Sequence, residues 1–223
     1  MQDRLSPQGY LGLHLTVGML IIVLGCWWFG GIVEDLLTGD PLVVVDQRLA
    51  DWFHQHATGT ITEIAKVITF LGSVAFLSSA SFLCALFLLW RKSWRALLVL
   101  VLTMGAGTVL NIVLKHIFHR QRPIFEDPLT TLSSFGFPSG HTMGATLFYG
   151  LLAMFLATGV AREWRWRMFV FPLSILLILL IGLSRIYLGA HYLSDVMGAM
   201  AAAIVWLAVC WTAVETFAGR SRP

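Results

Sequence analysis

Six long apolar runs constrain this chain more than any other feature of its sequence. Each run is about twenty residues long, enough to cross the roughly 30 Å hydrocarbon core of a bilayer as one α-helix. The runs do not alternate apolar and polar side chains, as barrel strands do, and the segment from Ile175 to Ile181 is apolar throughout. Charged residues make up only 12% of the chain, against roughly 25% in a soluble domain. The sequence therefore predicts an all-α integral membrane protein, a bundle of six transmembrane helices.

The six predicted spans are joined by loops of unequal length. They cover roughly residues 10–33, 68–90, 96–117, 139–160, 168–187 and 191–211. Between the first two spans, the segment from Val44 to His56 has the pattern of a short amphipathic helix, which we expect to lie on the membrane surface. No small-residue cleavage site clearly follows the first run, so we interpret that run as a retained span. We find no internal repeat and no linker, and predict a single membrane domain over residues 1–223.

The charges on the short loops predict the orientation. Basic residues cluster after the second and fourth spans and near both termini: Arg91, Lys92, Arg95, Arg162, Arg165, Arg167, Arg4, Arg220 and Arg222. By the positive-inside rule both termini are cytoplasmic, with the acidic stretch after the first span outside. The short basic loops and the lack of an organellar sorting signal favour a bacterial inner membrane. Lys115, Arg120, Arg122 and Arg185 lie on the extracytoplasmic side, against this bias, and therefore need another role.

Two classes of chemistry are disfavoured by composition. Cys26, Cys84 and Cys210 all fall inside apolar runs and are odd in number, so we expect neither disulfides nor thiol chemistry. The net charge is only +3, and the basic residues do not follow a polar face, so nucleic acid is not an expected partner. The bilayer itself is the expected partner, and no obligatory protein partner is evident.

Topology brings polar residues on four helix ends to one depth. With six spans, the third and fifth end on the extracytoplasmic side, where the fourth and sixth begin. The residues that share this placement are Lys115, Arg122, Ser139, Gly140, His141, Arg185, His191 and Asp195. We expect them to form one site at the extracytoplasmic end of the bundle.

The start of the fourth span has the features of an anion site. Ser139 can cap the helix, and Gly140 lacks a Cβ, so a ligand can approach its backbone closely. The free N–H groups and the dipole of the first helical turn attract an anion, and His141 adds a titratable group beside it. Taken alone, the pattern also fits a simple serine cap with an incidental histidine.

His191 and Asp195 are four residues apart, so on a helix they share a face. A carboxylate that binds one imidazole nitrogen leaves the other as a lone pair, which is the arrangement of a nucleophilic histidine. The alternative is a structural polar pair. Lys115, Arg122 and Arg185 could neutralise the oxygens of a phosphoryl group, although a single such cation would more often reach for lipid headgroups.

Three linked motifs carry a resemblance to a known family. Lys115-x6-Arg122-Pro123, Pro138-Ser139-Gly140-His141 and Ser184-Arg185-x5-His191-x3-Asp195 resemble the motif of the type 2 phosphatidic acid phosphatases, membrane lipid phosphate phosphatases related to vanadium haloperoxidases. The motif core spans residues 115–195 without departure at a motif position. The resemblance implies that His191 attacks phosphorus, that Asp195 orients it, and that His141 protonates the leaving oxygen and then activates water. It also implies a phosphate held by Lys115, Arg122, Ser139, Gly140 and Arg185, with no metal and no other cofactor.

The resemblance implies a lipid phosphate as substrate, in the order undecaprenyl pyrophosphate, phosphatidylglycerol phosphate, phosphatidic acid. Three other functions remain open. A lipid phosphotransferase would use the same residues. A metal hydrolase could recruit His116 and His119, although three nearby cations would repel a metal ion. A transporter would need a set of polar residues at mid-span, which the sequence does not supply.

Overall fold

The computed structural model describes residues 10–39, 41–126, 128–130, 134–158 and 164–219. Arg4, Arg162, Arg220 and Arg222, which contribute to the predicted orientation, lie outside these residues. Within them the chain forms nine α-helices and one π-helical segment, Leu102–Ala106. The α-helices are α1 (Tyr10–Thr38), α2 (Pro41–Gln55), α3 (Gly59–Phe70), α4 (Val74–Trp90), α5 (Trp94–Val101), α6 (Gly107–Phe118), α7 (Gly140–Thr158), α8 (Trp164–Tyr187) and α9 (Leu193–Gly219).

Six helical stretches of the described chain are long and apolar enough to cross a membrane, which confirms the predicted fold class. They are Leu15–Thr38, Gly59–Trp90, Trp94–Phe118, Gly140–Thr158, Trp166–Tyr187 and Leu193–Val214. The second begins at Gly59 rather than near Ile68, because α3 precedes α4 across a tight turn. α3 contains the polar residues Thr62, Glu63 and Lys66, which lower its hydropathy, so the predicted second span left out most of it. The Glu63 carboxylate accepts a hydrogen bond from Lys66 at 2.8 Å, one helical turn away.

α2 occupies the position predicted for the amphipathic helix. Its ends, Pro41–Gln55, differ from the predicted Val44–His56 by only a few residues. Trp52 is exposed and stacks on His56, whereas Asp46 is almost completely buried. The helix packs against α8 and α9. It therefore turns a carboxylate inward, which its apolar pattern did not predict.

α7 and α9 form the core of the bundle. α7 packs against both α8 and α9, and α1 runs along α9. Small buried side chains on α9, Ala199, Ala201 and Ala203, allow the neighbouring helices to approach closely. Because α7 is enclosed, the helix start that carries Ser139 to His141 lies inside protein rather than against lipid.

The third span contains the π-helical segment. Its Leu102 carbonyl accepts a hydrogen bond from the Trp206 indole of α9 at 3.3 Å, and its Met104 carbonyl accepts one from Thr108 at 2.8 Å. A π-helical turn displaces backbone carbonyls from the α-helical ladder, and these two donors satisfy them. Met104 and Gly105 of this segment face a cavity that continues to the predicted site.

Candidate active site

The structure brings the eight predicted residues together at one end of the bundle. Six of them line a cavity of about 490 Å³: Lys115, Arg122, Gly140, His141, Arg185 and His191. Ser139 and Asp195 are fully buried behind its wall. The predicted convergence of four helix ends is therefore present in the fold.

Ser139 caps α7. Its hydroxyl oxygen accepts hydrogen bonds from the Thr142 hydroxyl at 3.0 Å and from the Thr142 backbone N–H at 3.4 Å. Its own backbone N–H donates to the Asp195 carbonyl at 3.0 Å and so ties α7 to α9. The capping prediction holds. The hydroxyl points into the helix turn and does not line the cavity, so its contact with phosphate stays a prediction.

Gly140 lies where a side chain has little room. A Cβ at this position would come within 3.3 Å of the Asn111 side-chain oxygen. Asn111 in turn donates to the Pro138 carbonyl at 3.4 Å, across from α6 to the start of α7. Glycine therefore keeps the backbone at the start of α7 open to the cavity.

His191 and Asp195 form the predicted pair. His191 Nδ1 lies 3.4 Å from Asp195 Oδ2, slightly beyond the usual length of a hydrogen bond. The predicted sixth span placed His191 on the helix. In the structure α9 begins at Leu193, so His191 precedes the helix. The tight turn at Gly189, whose φ is +66°, still returns the imidazole towards the carboxylate.

The contacts of His191 fix its tautomer. Arg122 Nη1 lies 3.0 Å from His191 Nε2. A guanidinium can only donate, so Nε2 must present its lone pair, and the proton must be on Nδ1, facing Asp195. His191 and Arg122 line the same cavity, and Nε2 with its lone pair is the nucleophilic nitrogen of this tautomer.

The environment of His191 also keeps its ring neutral. Burial lowers the pKa of His191 to about 4, the charge of Asp195 works in the opposite direction, and Arg122 and Arg185 lower it further. A neutral imidazole at neutral pH is the nucleophilic form.

The three cations are held in different ways. Lys115 Nζ donates to the Phe135 carbonyl at 2.6 Å. Arg122 donates to the carbonyls of Ser134 and Ala190, each at 2.6 Å. Arg185 is 3% exposed and donates from Nη1 to Thr69 at 2.9 Å, while its Nε and Nη2 are buried with no partner among the described residues. Burial without a carboxylate partner prepares these groups to bind an anion.

His141 stands in the first turn of α7 on the cavity wall. Among the described residues, no hydrogen bond involves its ring. It lines the same cavity as His191, a placement that suits a group that transfers protons to and from a ligand bound there.

A buried ionic network behind His191 was not predicted. Arg120 donates from Nη1 to Asp195 Oδ1 at 2.6 Å and from Nη2 to Asp46 Oδ2 at 2.7 Å. Burial alone would lower the pKa of Arg120, but the two carboxylates raise it above its usual value, so the guanidinium stays charged. The position of Arg120 on the wrong side for the positive-inside rule was a signal for this network, whereas nothing in the sequence singles out Asp46.

His116 and His119, considered above for metal binding, have other contacts. His116 Nδ1 lies 2.8 Å from the Ile112 carbonyl, and His119 ends α6 in a left-handed conformation with φ of 46°. The His119 ring packs edge-on against Phe135. In the described part of the chain, no group of three His, Cys, Asp or Glu side chains is arranged around a metal position.

Known proteins are similar to this chain in sequence. Phosphatidylglycerophosphatase B of Bacillus subtilis (strain 168) is 38% identical over 139 residues, covering 62% of this chain and 68% of that protein. Undecaprenyl-diphosphatase BcrC of the same organism is 31% identical over 145 residues, covering 63% and 69%.

Two solved structures are also similar. The crystal structure of a transmembrane PAP2-type phosphatidylglycerolphosphate phosphatase from Bacillus subtilis superimposes with a TM-score of 0.75 and 27% identity, covering 92% of this chain and 97% of that chain. Aquifex aeolicus LpxE superimposes with a TM-score of 0.58 and 26% identity, covering 75% and 94%.

The sequence profile described as the PAP2 superfamily matches residues 96–218, more than half of the chain. The match includes every one of the predicted site residues. This chain therefore belongs to the PAP2 superfamily and is an integral-membrane lipid phosphatase, an enzyme that hydrolyses phosphoester or phosphoanhydride bonds.

Proposed function

We propose that this enzyme removes the terminal phosphate of a lipid phosphate through a phosphohistidine intermediate, with undecaprenyl pyrophosphate as its preferred substrate. The observation that supports this proposal is the arrangement of His191, which lines the cavity. Its Nε2 lone pair accepts from Arg122, while its Nδ1 lies 3.4 Å from the Asp195 carboxylate. Three cations surround the position that a phosphoryl group would occupy in front of Nε2. These contacts support the proposed roles of a nucleophile, an orienting carboxylate and charge-stabilising cations.

In the first step, the His191 Nε2 lone pair forms a bond to phosphorus and the bond from phosphorus to the leaving oxygen breaks. His141 gives its proton to that oxygen, which departs with the lipid. Asp195 stabilises the positive charge that develops on the His191 ring. Arg122, which lies 3.0 Å from Nε2 in the unliganded enzyme, must release that nitrogen and turn to a phosphate oxygen.

In the second step, His141 takes a proton from water and the resulting hydroxide attacks phosphorus. The bond from phosphorus to Nε2 breaks, inorganic phosphate leaves, and His191 regains its lone pair. Lys115, Arg122 and Arg185, with the backbone N–H groups at Gly140, neutralise the phosphoryl oxygens in both steps. We propose that these groups serve in place of a metal ion.

The shape of the cavity supports a lipid substrate. Its wall continues from the polar end along α4, the π-helical segment and α7, and includes Leu77, Met104 and Leu147. Leu147 lies seven residues beyond Gly140 on α7, a distance of roughly 10 Å at the rise of an α-helix. The first carbons of an apolar chain can therefore lie along the wall while the phosphate stays at the polar end.

Phosphatidylglycerol phosphate is the second candidate substrate. Phosphatidylglycerophosphatase B is 38% identical to this chain, whereas the undecaprenyl-diphosphatase is 31% identical to it. The polar end of the cavity fits either headgroup, since both present a terminal phosphate.

The test is phosphate release by purified enzyme from undecaprenyl pyrophosphate, phosphatidylglycerol phosphate and phosphatidic acid, each with an excess of chelator. We expect release from at least one lipid, with the highest kcat/KM for undecaprenyl pyrophosphate. A higher value for phosphatidylglycerol phosphate would reverse the substrate order, and phosphate transfer to a second lipid would indicate the transferase. Loss of all activity with chelator, restored by a divalent metal, would overturn the metal-free mechanism.

We further propose a bacterial inner membrane location, with cytoplasmic termini and an extracytoplasmic active site. Arg91 and Lys92, in the turn between α4 and α5, lie at the opposite end of the third span from Lys115. A fluorescent protein fused to the C-terminus should be bright, and a periplasm-dependent reporter at the same position should be inactive. The reverse pattern would refute this orientation.

A further inference from the structure

The buried network behind Asp195 begins on α2, outside the part of the chain that the superfamily profile matches. Asp46 is 1% exposed and lies in the loop between the first two spans. The profile match begins only at residue 96. Burying a carboxylate at this point costs free energy unless its oxygens are fully engaged.

Both oxygens of Asp46 are engaged, and every contact leads to the start of α9 or to Arg120. Oδ1 accepts the Ser194 backbone N–H at 2.9 Å, so α2 supplies a capping carboxylate to another helix. Oδ2 accepts from the Ser194 hydroxyl and, at 2.7 Å, from Arg120 Nη2. Asp46 thus holds the first turn of α9, and Asp195 belongs to that same turn.

Arg120 joins the two carboxylates. Its Nη1 donates to Asp195 Oδ1 at 2.6 Å and to the Ser194 hydroxyl at 2.5 Å. Its guanidinium also lies 4.6 Å from the centre of the Tyr192 ring, and the Tyr192 backbone N–H donates to Asp195 Oδ2 at 2.9 Å. These contacts restrict the Asp195 carboxylate to one orientation, with Oδ2 towards His191.

The charges of the network favour the intermediate. Asp46 and Asp195 are negative and Arg120 is positive, so the three together carry one negative charge. When His191 bonds to phosphorus, its ring becomes positive and balances that charge. Without Asp46, Arg120 would cancel Asp195, and the positive ring would face a neutral pair.

From these contacts we propose that Asp46 is a positioning residue for catalysis, acting through Arg120 and Ser194 on Asp195. The inference rests on the proposed roles of His191 and Asp195. Neither Asp46 nor Arg120 belongs to the cavity wall, as far as the described residues form it. Asp46 therefore affects the chemical step rather than the binding of phosphate.

The primary test replaces Asp46 by Asn, which keeps the size and one acceptor but removes the charge. We expect kcat for lipid phosphate hydrolysis to fall about 10- to 100-fold, the usual effect of losing an outer partner of a reactive group. KM should stay within about twofold, because the phosphate contacts are untouched. Asp51→Asn is the matched control, since Asp51 is an exposed acid on the same helix and should keep wild-type kcat.

A double-mutant cycle separates positioning from a merely structural role. Arg120→Gln should lower kcat by itself. Adding Asp46→Asn should then lower kcat by a smaller factor than in the wild-type background, because part of the effect of Asp46 on Asp195 passes through Arg120. If the effects of the two substitutions on kcat simply multiply, the proposal is overturned. A changed KM and a lower thermal midpoint in Asp46→Asn, with unchanged kcat per folded enzyme, would also overturn it. If Asp46→Asn does not fold, Ser194→Ala removes one clamp and keeps all charges, and we expect it to lower kcat about 2- to 10-fold.

His191→Ala, measured in parallel, distinguishes failure of this inference from failure of the proposed mechanism. An inactive His191→Ala beside a fully active Asp46→Asn would overturn the role of Asp46 alone. An active His191→Ala would overturn the mechanism on which that role rests.

Discussion

Arg185 is buried on the cavity wall with incomplete hydrogen bonding among the described residues, which makes it a sharp probe of the proposed phosphate site. Nη1 is anchored on Thr69, while Nε and Nη2 are buried and have no partner among the described residues. Both free donors are available to phosphate oxygens. A hydrogen bond to a charged group contributes about 1.5–3 kcal/mol, so two contribute about 3–6 kcal/mol.

Replacing Arg185 by Met keeps much of the side-chain volume and removes both donors. Because about 1.4 kcal/mol corresponds to a factor of ten, we expect kcat/KM for phosphate release to fall about 10²- to 10⁴-fold. Affinity for vanadate, which mimics the phosphoryl group in transfer, should fall in parallel. The thermal midpoint should stay the same or rise, since a buried cation without a carboxylate partner destabilises the folded enzyme.

Two matched variants complete the experiment. Arg185→Lys keeps the charge but loses the planar fork, so its kcat/KM should lie between those of wild type and Arg185→Met. Arg167→Met removes an exposed arginine from the other end of α8 and should behave as wild type. A kcat/KM within about threefold of wild type in Arg185→Met, or a large loss of stability there, would refute the reasoning.

The remaining predictions concern the residues around the proposed phosphoryl position. His191→Ala should abolish turnover with the thermal midpoint retained, because it removes only the proposed nucleophile, and a wild-type rate would contradict this. Asp195→Asn should lower kcat strongly but not to zero, measured by steady-state phosphate release, since it removes the charge proposed to stabilise the positive His191 ring. Lys115→Ala should raise the inhibition constant of vanadate, and an unchanged constant would count against a phosphate contact. The pKa of His191, lowered by burial to about 4, lies below the value of about 6.5 for an exposed histidine, so the unfolded chain binds more protons between these values. Stability should therefore decrease as pH falls from about 6.5 towards 4, and acid titration of the unfolding midpoint should show a shallower decrease in His191→Gln.

Much of the site could be predicted because topology alone brings helix ends together. Lys115, His141, Arg185 and His191 fall near the ends of long apolar runs, and alternating spans must return those ends to the same side. Hydropathy predicts a span less well where the span contains polar residues, such as Thr62 and Lys66 of α3. The predicted second span therefore left out most of α3. Its start at Gly59 depends on tertiary partners, including the Tyr187 hydroxyl 3.2 Å from Thr62.

The ionic network escaped prediction for a different reason. Asp46 lies among several acids in a polar loop, and only the three-dimensional packing distinguishes it from exposed Asp51. Sequence spacing relates residues on one helix, whereas Asp46 and Ser194 are 148 positions apart. The predicted orientation places Arg120 on the extracytoplasmic side, against the positive-inside rule, but only the fold reveals its two carboxylate partners.

The capping of α9 by a carboxylate from α2 has a consequence for biosynthesis. Asp46 leaves the ribosome after the first span, whereas Ser194 and Asp195 emerge only with the sixth. Until that last span is inserted, the proposed His191–Asp195 pair is absent, and Asp46 and Arg120 lack their partners at the start of α9. We therefore expect the nascent enzyme to be inactive towards the lipids around it until the last span has joined the bundle.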